Sequence, residues 1–299
     1  MDEKIRRLRE QNIYFGTSSW KYPGWRNLVY RRKYPSEKNF NDNCLEEYAS
    51  AYPAVGVDHT FYNWPSEKGF DKYAAQTPEY FRFGLKTTER ITIFDYPKIK
   101  RYGKEAGTTN ADFLNADLFR DKFLAPLESN KSRIGPVMLE FSQFYPGTIA
   151  SGGEFVERLD RFFTAVGHNT GFQFALEIRN RNWLQKPYFD LLLKHNVGHV
   201  YNSWTRMPTI GEQLTLSANY KLPFLVSRLL LQPGTKYADA VEAFSPYDQL
   251  KEESPTLRKE TADLIRRAIA SGTPAYVFVN NRCEGSAPKT IEAILANLD

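Results

Sequence analysis

The chain has 299 residues, of which 41% are hydrophobic and 15% aromatic, and its formal net charge is +5. This composition can bury a sizeable core, which excludes a chain that is disordered throughout. The weakly basic balance is compatible with phosphate-bearing partners but does not require them, because a charge of this size is commonly spread over a solvated surface.

Cysteine content and the start of the chain predict the cellular compartment. Cys44 and Cys283 are the only cysteines, too few for a disulfide framework or a four-thiolate zinc site, so reduced thiols are expected. Residues 1–12 are charged and contain no apolar h-region, which argues against a signal peptide. No apolar run approaches the roughly 20 residues that cross a bilayer. We expect a cytoplasmic protein with no membrane partner.

Eight short, mostly apolar segments end in small polar, charged or aromatic residues. Apolar runs of this kind are typical of parallel strands that are covered on both faces. The predicted strands are residues 13–18, 54–58, 81–86, 135–141, 172–183, 198–202, 223–230 and 275–279.

Segments with helical apolar spacing alternate with these strands. Residues 1–11 predict either a short charged helix or a frayed arm, residues 88–110 an irregular insertion, and residues 205–222 only a weak helical pattern. Residues 111–129 predict one amphipathic helix, with Phe113, Leu114, Leu118, Phe123, Leu124 and Leu127 as its core positions. The other predicted helices are residues 45–51, 67–76, 154–167, 187–195, 254–271 and 287–298.

The alternation of strand and helix, about eight times over, predicts an α/β fold of the TIM type, a (β/α)8 barrel. A doubly wound open sheet is the alternative, but no Gly-x-Gly-x-x-Gly turn follows the first strand. We see no linker and no internal repeat. The prediction is therefore a single barrel domain, residues 13–299, preceded by an arm, residues 1–12.

In such a barrel the carboxyl ends of the strands share one face, where sites on this fold lie. The residues at these ends combine charges, amides and aromatic rings, a mixture that suits a small polar ligand with flat or sugar-like faces and an anionic group. The candidate binding residues are Thr17, Ser18, Trp20, Tyr22, Trp25, Asp58, Tyr62, Lys86, Arg179, Asn202, Arg228, Asn280 and Asn281.

Glu177 and Glu140 are the candidate catalytic residues. Glu177 and Arg179 stand two residues apart, so on a strand both side chains point to one face. Glu140 ends the preceding strand, and the two carboxyls could form a general acid/base pair. The alternative for Glu177 and Arg179 is a structural ion pair. For Trp20, Tyr22 and Trp25, the alternative to a stacking platform is a set of core side chains that cap the barrel.

Metal and cofactor chemistry has weaker support in the sequence. Of the four histidines, only His59 lies near a predicted carboxyl strand end, so a His-rich zinc or iron site is not expected and no cofactor is predicted. A magnesium or manganese ion on Asp58, Glu140 and Glu177 stays open as an alternative. The sequence has no P-loop, no Gly-x-Ser-x-Gly elbow and no Cys-His nucleophile pattern.

Taken together, the strand ends resemble those of the DUF72 family, also called YecE-like proteins, from about residue 13 to residue 298. The matching segments are GTSSW at 16–20 with Tyr22 and Trp25, TFY at 60–62 with Pro65, TP at 77–78, FGLK at 83–86, GPV at 135–137, EIR at 177–179 with Trp183, Arg228, and NN at 280–281 with Gly285 and Ala287. The resemblance implies a TIM-type barrel and no established activity. Its barrel is similar to those of endonuclease IV and sugar isomerases, which implies a nucleic-acid or phosphosugar ligand.

The chain departs from the family pattern near the expected site. Leu230 and Leu231 stand where relatives tend to have His-Gly, Arg282 replaces a His, and Glu140 replaces a Gln. These changes bear directly on whether this chain binds the same ligand as the family that it resembles.

The leading hypothesis is an enzyme, a hydrolase or a lyase/isomerase, that acts on a phosphorylated or sugar-like polar substrate at the barrel mouth. The alternatives are a non-catalytic barrel that binds nucleic acid or a nucleotide, and a ligand-sensing or structural barrel without turnover. The sequence predicts no particular oligomeric state.

Overall fold

The computed structural model describes residues 1–145, 147–232, 234 and 237–298. Asp299, the predicted end of the barrel domain, lies outside these residues. Eight parallel strands pair in chain order and close into a barrel, so the predicted (β/α)8 fold is confirmed. The strands are β1 Ile13–Thr17, β2 Ala54–Val57, β3 Arg82–Lys86, β4 Ile134–Glu140, β5 Gln173–Glu177, β6 Gly198–Asn202, β7 Leu225–Leu229 and β8 Ala275–Val279.

The barrel interior is filled by alternate residues of the strands. Successive side chains of a strand point to opposite faces, so every second residue faces inward. A separate buried cluster of inward residues includes Met138, Ala175, Val226 and Phe278. Two positions further along the same strands stand Glu140, Glu177, Arg228 and Asn280. The polar strand ends therefore continue the apolar interior as its last layer.

Helices cover the outer face of the barrel, which is why the strands are apolar on both sides. The α-helices are α1 Glu3–Glu10, α2 Glu37–Ala51, α3 Glu67–Ala75, α4 Glu89–Thr92, α5 Ala116–Leu118, α6 Gly152–Val166, α7 Lys186–Lys194, α8 Ile210–Leu216, α9 Tyr237–Phe244, α10 Pro255–Ser271 and α11 Ala287–Ala296. No helix in the described ranges is both long and apolar enough to cross a membrane.

Side-chain caps set several helix starts. The hydroxyl oxygens of Ser36, Ser66 and Ser151 accept hydrogen bonds from the backbone N–H three residues on, at α2, α3 and α6. Thr209 and Glu212 form a capping box at α8. The cap at Ser36 explains why α2 begins eight residues before the predicted start at residue 45, because the polar segment that follows the cap is helical although it lacks an apolar stripe.

The prediction of one continuous helix over residues 111–129 is wrong. The chain forms only the short helix α5, then a π-helical stretch Phe119–Leu124 and a 3-10 stretch Ala125–Arg133. Pro126 accounts for the change at the start of the 3-10 stretch, because it lacks a backbone N–H and its ring collides with the carbonyl four residues earlier. Asn115 caps α5, which fixes the start at Ala116, five residues later than predicted. Phe123, Leu124 and Leu127 are buried as predicted, whereas Phe113, Leu114 and Leu118 are only partly buried.

The structure decides between the two alternatives for the start of the chain and agrees with the predicted irregular insertion. Residues 3–10 form helix α1, whose Ile5 and Leu8 are buried in the main hydrophobic core, so the helical alternative is the observed one. The insertion 88–110 is irregular apart from α4, a 3-10 stretch Lys100–Glu105 and a bridge between Asp95 and Thr109.

His199 on β6 belongs to a buried network between the barrel wall and the helices α7 and α8. The amide nitrogen of Gln213 donates to the carbonyls of Asn202 and Pro208, so its Oε1 faces the His199 ring at 3.2 Å from Nε2. Nε2 therefore carries the proton, and Nδ1 accepts from the Tyr188 hydroxyl at 2.9 Å. Burial lowers the pKa of His199 to about 4.

This histidine makes stability depend on pH. Its unfolded pKa is 6.5 and its folded pKa about 4, so between these values the unfolded chain binds a proton that the folded chain does not. The free energy of unfolding should therefore fall as the pH falls through this window, by up to about 3 kcal/mol. Urea unfolding of the wild type and of His199→Gln at a series of pH values measures the effect. The variant should show a flatter dependence, and equal slopes would contradict the assignment.

Candidate ligand site at the barrel mouth

A cavity of about 380 Å³ opens at the carboxyl ends of the strands. Eight of the residues predicted from the sequence line it: Tyr22, Asp58, Tyr62, Lys86, Glu140, Arg179, Arg228 and Asn280. A larger cleft of about 800 Å³ lies elsewhere, among α1, α2 and α11. It contains none of the strand-end residues, so we place the candidate site at the smaller cavity.

Glu140 is the centre of an ion-pair network in the floor of the cavity. Its Oε1 lies 2.8 Å from Nη2 of Arg179. Its Oε2 lies 2.6 Å from Nη1 of Arg228 and 3.3 Å from Nζ of Lys86. One carboxylate therefore bridges three cations that come from three different strand ends.

Glu177 completes the network from below. Glu140 and Glu177 are register partners on β4 and β5, which places the two carboxylates side by side. The Glu177 side chain is 0% exposed, accepts a hydrogen bond from Nη1 of Arg228, and lies 3.4 Å from Nη2 of Arg179. Lys86 also pairs with Asp58 at 3.1 Å. Three carboxylates and three cations thus balance one another.

The network holds Glu140 and Arg228 in their charged forms. Burial by itself would raise the pKa of Glu140, but the positive charges of Arg179, Lys86 and Arg228 outweigh it and hold that pKa well below its usual range. Burial would lower the pKa of Arg228, yet Glu177, Glu140 and Asp58 raise it. Glu140 is therefore an ionised carboxylate at neutral pH and cannot donate a proton to a substrate.

Each of the two arginines also has N–H groups that do not bind the carboxylates of the network. Within the described residues, Arg228 pairs with carboxylates through Nη1 alone, and Arg179 through Nη2 alone. Nε of Arg179 is buried without an acceptor there. The Arg179 guanidinium also stacks 3.8 Å from the ring centroid of Trp204, which fixes its plane. Since both arginines line the cavity, those of their remaining N–H groups that reach its surface can bind an acceptor on a ligand.

Aromatic and apolar side chains form the walls. Tyr62 is 56% exposed, and the Arg101 guanidinium lies 4.8 Å from its ring centroid. Arg101 belongs to the insertion 88–110 and is anchored by Glu89, whose Oε2 lies 2.6 Å from Nη2. The insertion therefore supports one wall of the cavity. Leu230 and Leu231, two of the departures from the family pattern, contribute an apolar part of the lining.

Trp20 and Trp25 lie in the hydrophobic core and not on the cavity. Trp25 is 0% exposed, with its ring centroid 6.4 Å from that of Tyr30 and 6.5 Å from that of Tyr48. Trp20 is buried and packs edge-on against Tyr73. Both match the alternative of core side chains that cap the barrel, whereas Tyr22 faces the cavity.

Four further predicted residues lie at the mouth, and three of them make hydrogen bonds that hold its loops in place. The Thr17 hydroxyl lies 2.8 Å from that of Tyr48. Asn202 donates to the carbonyl of Ile178, and Asn281 accepts from the Ala287 N–H at the start of α11. Ser18 is buried, and its hydroxyl has no partner in the described part of the chain. None of the four lines the cavity.

Six lining residues are absent from the sequence-based set: Ser19, Phe61, Trp204, Leu230, Leu231 and Arg282. All of them follow a strand within a few residues. That position is a usable signal, because the loops after the strands build the site of this fold. Their mixed chemistry explains why a search for charges and amides passes over the apolar members.

The carboxylates considered for a magnesium or manganese ion are engaged otherwise. Asp58, Glu140 and Glu177 pair with the cations of the network. Across the ranges that the structure describes, no group of three or more His, Cys, Asp and Glu side chains is arranged to hold a metal ion.

Comparison with known proteins places the chain in a family. It is 26% identical over 202 residues to the UPF0759 protein YunF of Bacillus subtilis (strain 168), a match that covers 67% of this chain and 62% of that relative. A DUF72 family protein of Enterococcus faecalis V583 has the same fold, with a TM-score of 0.64, 18% identity and coverage of 96% of this chain and 95% of that one. A DUF72 family protein of Thermotoga maritima MSB8 gives a TM-score of 0.61, 18% identity, and coverage of 95% and 97%.

The family model described as "Protein of unknown function DUF72" matches residues 14–299. The chain therefore belongs to the DUF72 family.

Proposed function

We propose that this protein is an enzyme that acts on a small, sugar-like polar substrate with an anionic group, bound in the cavity at the barrel mouth. The ion-pair network in the cavity floor carries this proposal. Glu140, Glu177 and Arg228 are buried, and taking these charges out of water costs folding free energy that apolar residues of similar size would not cost. Their concentration where sites of this fold lie supports a role in function.

The geometry divides the roles among the charged residues. Arg179 and Arg228 offer their remaining N–H groups to the anionic group of the substrate. The Asp58 side chain is 34% exposed and lines the cavity, whereas Glu177 is 0% exposed beneath the arginines. Proton transfer in the proposal therefore falls to Asp58 and Lys86, while Glu140 and Glu177 position the arginines. This division revises the acid/base pair expected from the sequence and suits a hydrolase, lyase or isomerase.

A ligand screen tests the proposal. Sugar acids and sugar phosphates are screened by thermal shift against the wild type, Arg179→Gln and the control Arg32→Gln, which removes an exposed arginine paired with Glu46. Compounds that raise the melting temperature of the wild type and the control should fail to do so for Arg179→Gln. Compounds that also raise the melting temperature of Arg179→Gln would refute the proposed binding site. For any compound that is turned over, Asp58→Asn should lower kcat roughly 100-fold or more.

A nucleic-acid ligand is the second candidate, and one observation favours it. Tyr62 and Tyr145 are 56% and 55% exposed, and both lie in loops that follow strands at the mouth, where they could stack on bases. The carboxylates of the floor disfavour a phosphate backbone there. Binding of single-stranded RNA or DNA should weaken steeply between about 50 and 200 mM salt, and affinity that is independent of salt would exclude this candidate.

The proposal places the protein in the cytoplasm and requires no resident cofactor and no membrane. Cys44 and Cys283 are both buried free thiols, which supports a reducing compartment.

A further inference from the structure

We propose that Trp204 is a positioning residue for Arg179, and that the supporting segment, residues 240–247, holds Trp204 in its orientation. The proposal rests on the proposed function, because it takes Arg179 as a group that binds the anion of the ligand. None of residues 240–247 lines the cavity, so the segment would act on the ligand only through other side chains.

The first observation is that Trp204 joins Arg179 to the supporting segment. Cζ of Arg179 lies 3.8 Å from the centroid of the indole ring. The same indole packs against a small hydrophobic cluster of Leu231, Ala240 and Phe244, none of them more than 2% exposed. Because closely packed side chains are confined to single rotamers, this cluster fixes the orientation of the indole.

The second observation is that the backbone beside Trp204 is anchored independently of the supporting segment. The Ser203 N–H donates to the carbonyl of Arg228 at 3.1 Å, and the Leu230 N–H donates to the Ser203 hydroxyl at 2.8 Å. These bonds tie the loop after β6 to the end of β7. The supporting segment therefore governs the direction of the indole ring and not the course of the loop.

The third observation is that the supporting segment also packs against the loop after β1. The ring of Tyr247 lies edge-on to that of Tyr22, with the centroids 5.5 Å apart, and Tyr22 lines the cavity. The carbonyl of Pro246 packs so closely on Gly24 that a β carbon there would overlap it. The segment is thus wedged between two loops of the mouth, and both contribute side chains to the lining.

The orientation of Arg179 matters because a guanidinium donates hydrogen bonds only in its own plane. Nη2 of Arg179 is held by Glu140 at 2.8 Å. The plane that Trp204 sets then decides whether the other N–H groups are aimed at a ligand. A cation–π contact corresponds to a change of about 3- to 30-fold in an equilibrium constant, so loss of this support should weaken anion binding by about that factor.

Side-chain NMR of the full chain tests the support without a ligand. The Nε–Hε signal of Arg179, identified by its absence in Arg179→Gln, should be shifted upfield by the ring current of Trp204. Phe244→Ala removes a contact of the indole, and Gly24→Ala displaces the segment through Pro246. Both variants keep the indole, and both should reduce the upfield shift.

The same two substitutions made elsewhere are the controls. Phe163→Ala removes a phenylalanine of α6 that is 3% exposed and lies outside the lining. Gly153→Ala adds a methyl group where the nearest atom is 3.7 Å away. Neither should move the Arg179 signal, so a general loss of stability cannot imitate the expected result.

Isothermal titration calorimetry with glucuronate, glucose 6-phosphate and inorganic sulfate measures the effect on anion binding. At least one of these anions should bind the wild type, and Trp204→Leu and Phe244→Ala should bind it about 3- to 30-fold more weakly. Trp204→Phe, which keeps a ring face for the guanidinium, should lose less affinity than Trp204→Leu. Phe163→Ala should bind as the wild type does.

An Arg179 signal that is unmoved in Phe244→Ala and Gly24→Ala, or unchanged anion affinity in Phe244→Ala, would overturn the proposal and leave the proposed function standing. If the wild type binds none of the three anions, the proposed function fails and this proposal fails with it, whatever the NMR signal shows.

Discussion

Replacing Glu140 with glutamine should lower the free energy of unfolding by about 3–5 kcal/mol, because it removes one partner of a buried charge network and leaves the others uncompensated. Glu140 contacts Arg179, Arg228 and Lys86, so three cations would then share the two remaining carboxylates. The amide of glutamine keeps the shape of the side chain, so the loss reports charge and not packing.

Chemical denaturation near neutral pH measures this change. Glu46→Gln is the matched control, because it removes an exposed carboxylate that also pairs with an arginine, and it should leave the denaturation midpoint unchanged within error. The double variant Glu140→Gln/Arg228→Gln restores the balance of charge and should recover part of the loss. If Glu140→Gln is as stable as the control, the network does not organise the mouth.

Trp25→Ala should cost about 3–5 kcal/mol, the usual range for the loss of a large aromatic side chain from a core. Trp25 is fully buried, with its ring close to those of Tyr22, Tyr30 and Tyr48. Tyr62→Ala removes another aromatic of a strand-end loop, but one that is 56% exposed, and it should change stability by no more than about 0.5 kcal/mol.

The two variants separate the aromatic side chains of the core from those of the cavity wall. Denaturation measures stability, and titration with any ligand found in the screen measures binding. Tyr62→Ala should weaken binding while remaining stable. Comparable stability losses in the two variants would show that Tyr62 is structural and that the wall of the cavity is assigned incorrectly.

The fold was predictable because its elements are locally encoded. Strands buried on both faces produce short apolar runs, and the predicted bounds of β6 and β8 agree with the structure to the residue. The failed helix over residues 111–129 shows the limit of periodicity. The helix prediction followed the apolar spacing of this segment and gave too little weight to Pro126. A single proline is enough to interrupt helical hydrogen bonding.

The site was predictable in composition but not in its pairing. Charged residues at strand ends can be read from the chain, yet Arg228 meets Glu177 and Glu140 across 51 and 88 residues of sequence. Only the barrel closure and the strand register decide those partners. The burial of an aromatic loop residue also depends on tertiary packing. Trp25 and Tyr62 both follow a strand, but Trp25 is 0% exposed and Tyr62 is 56% exposed, because they differ in what packs over them.

The central claim is that the cavity above Glu140 binds a small polar anion through Arg179 and Arg228. The most direct measurement is a crystal structure of the wild type with the tightest-binding compound of the ligand screen. We expect the anionic group of this compound within about 3.2 Å of guanidinium nitrogens of both arginines. A ligand bound elsewhere on the protein, or an anionic group turned away from both arginines, would contradict the claim.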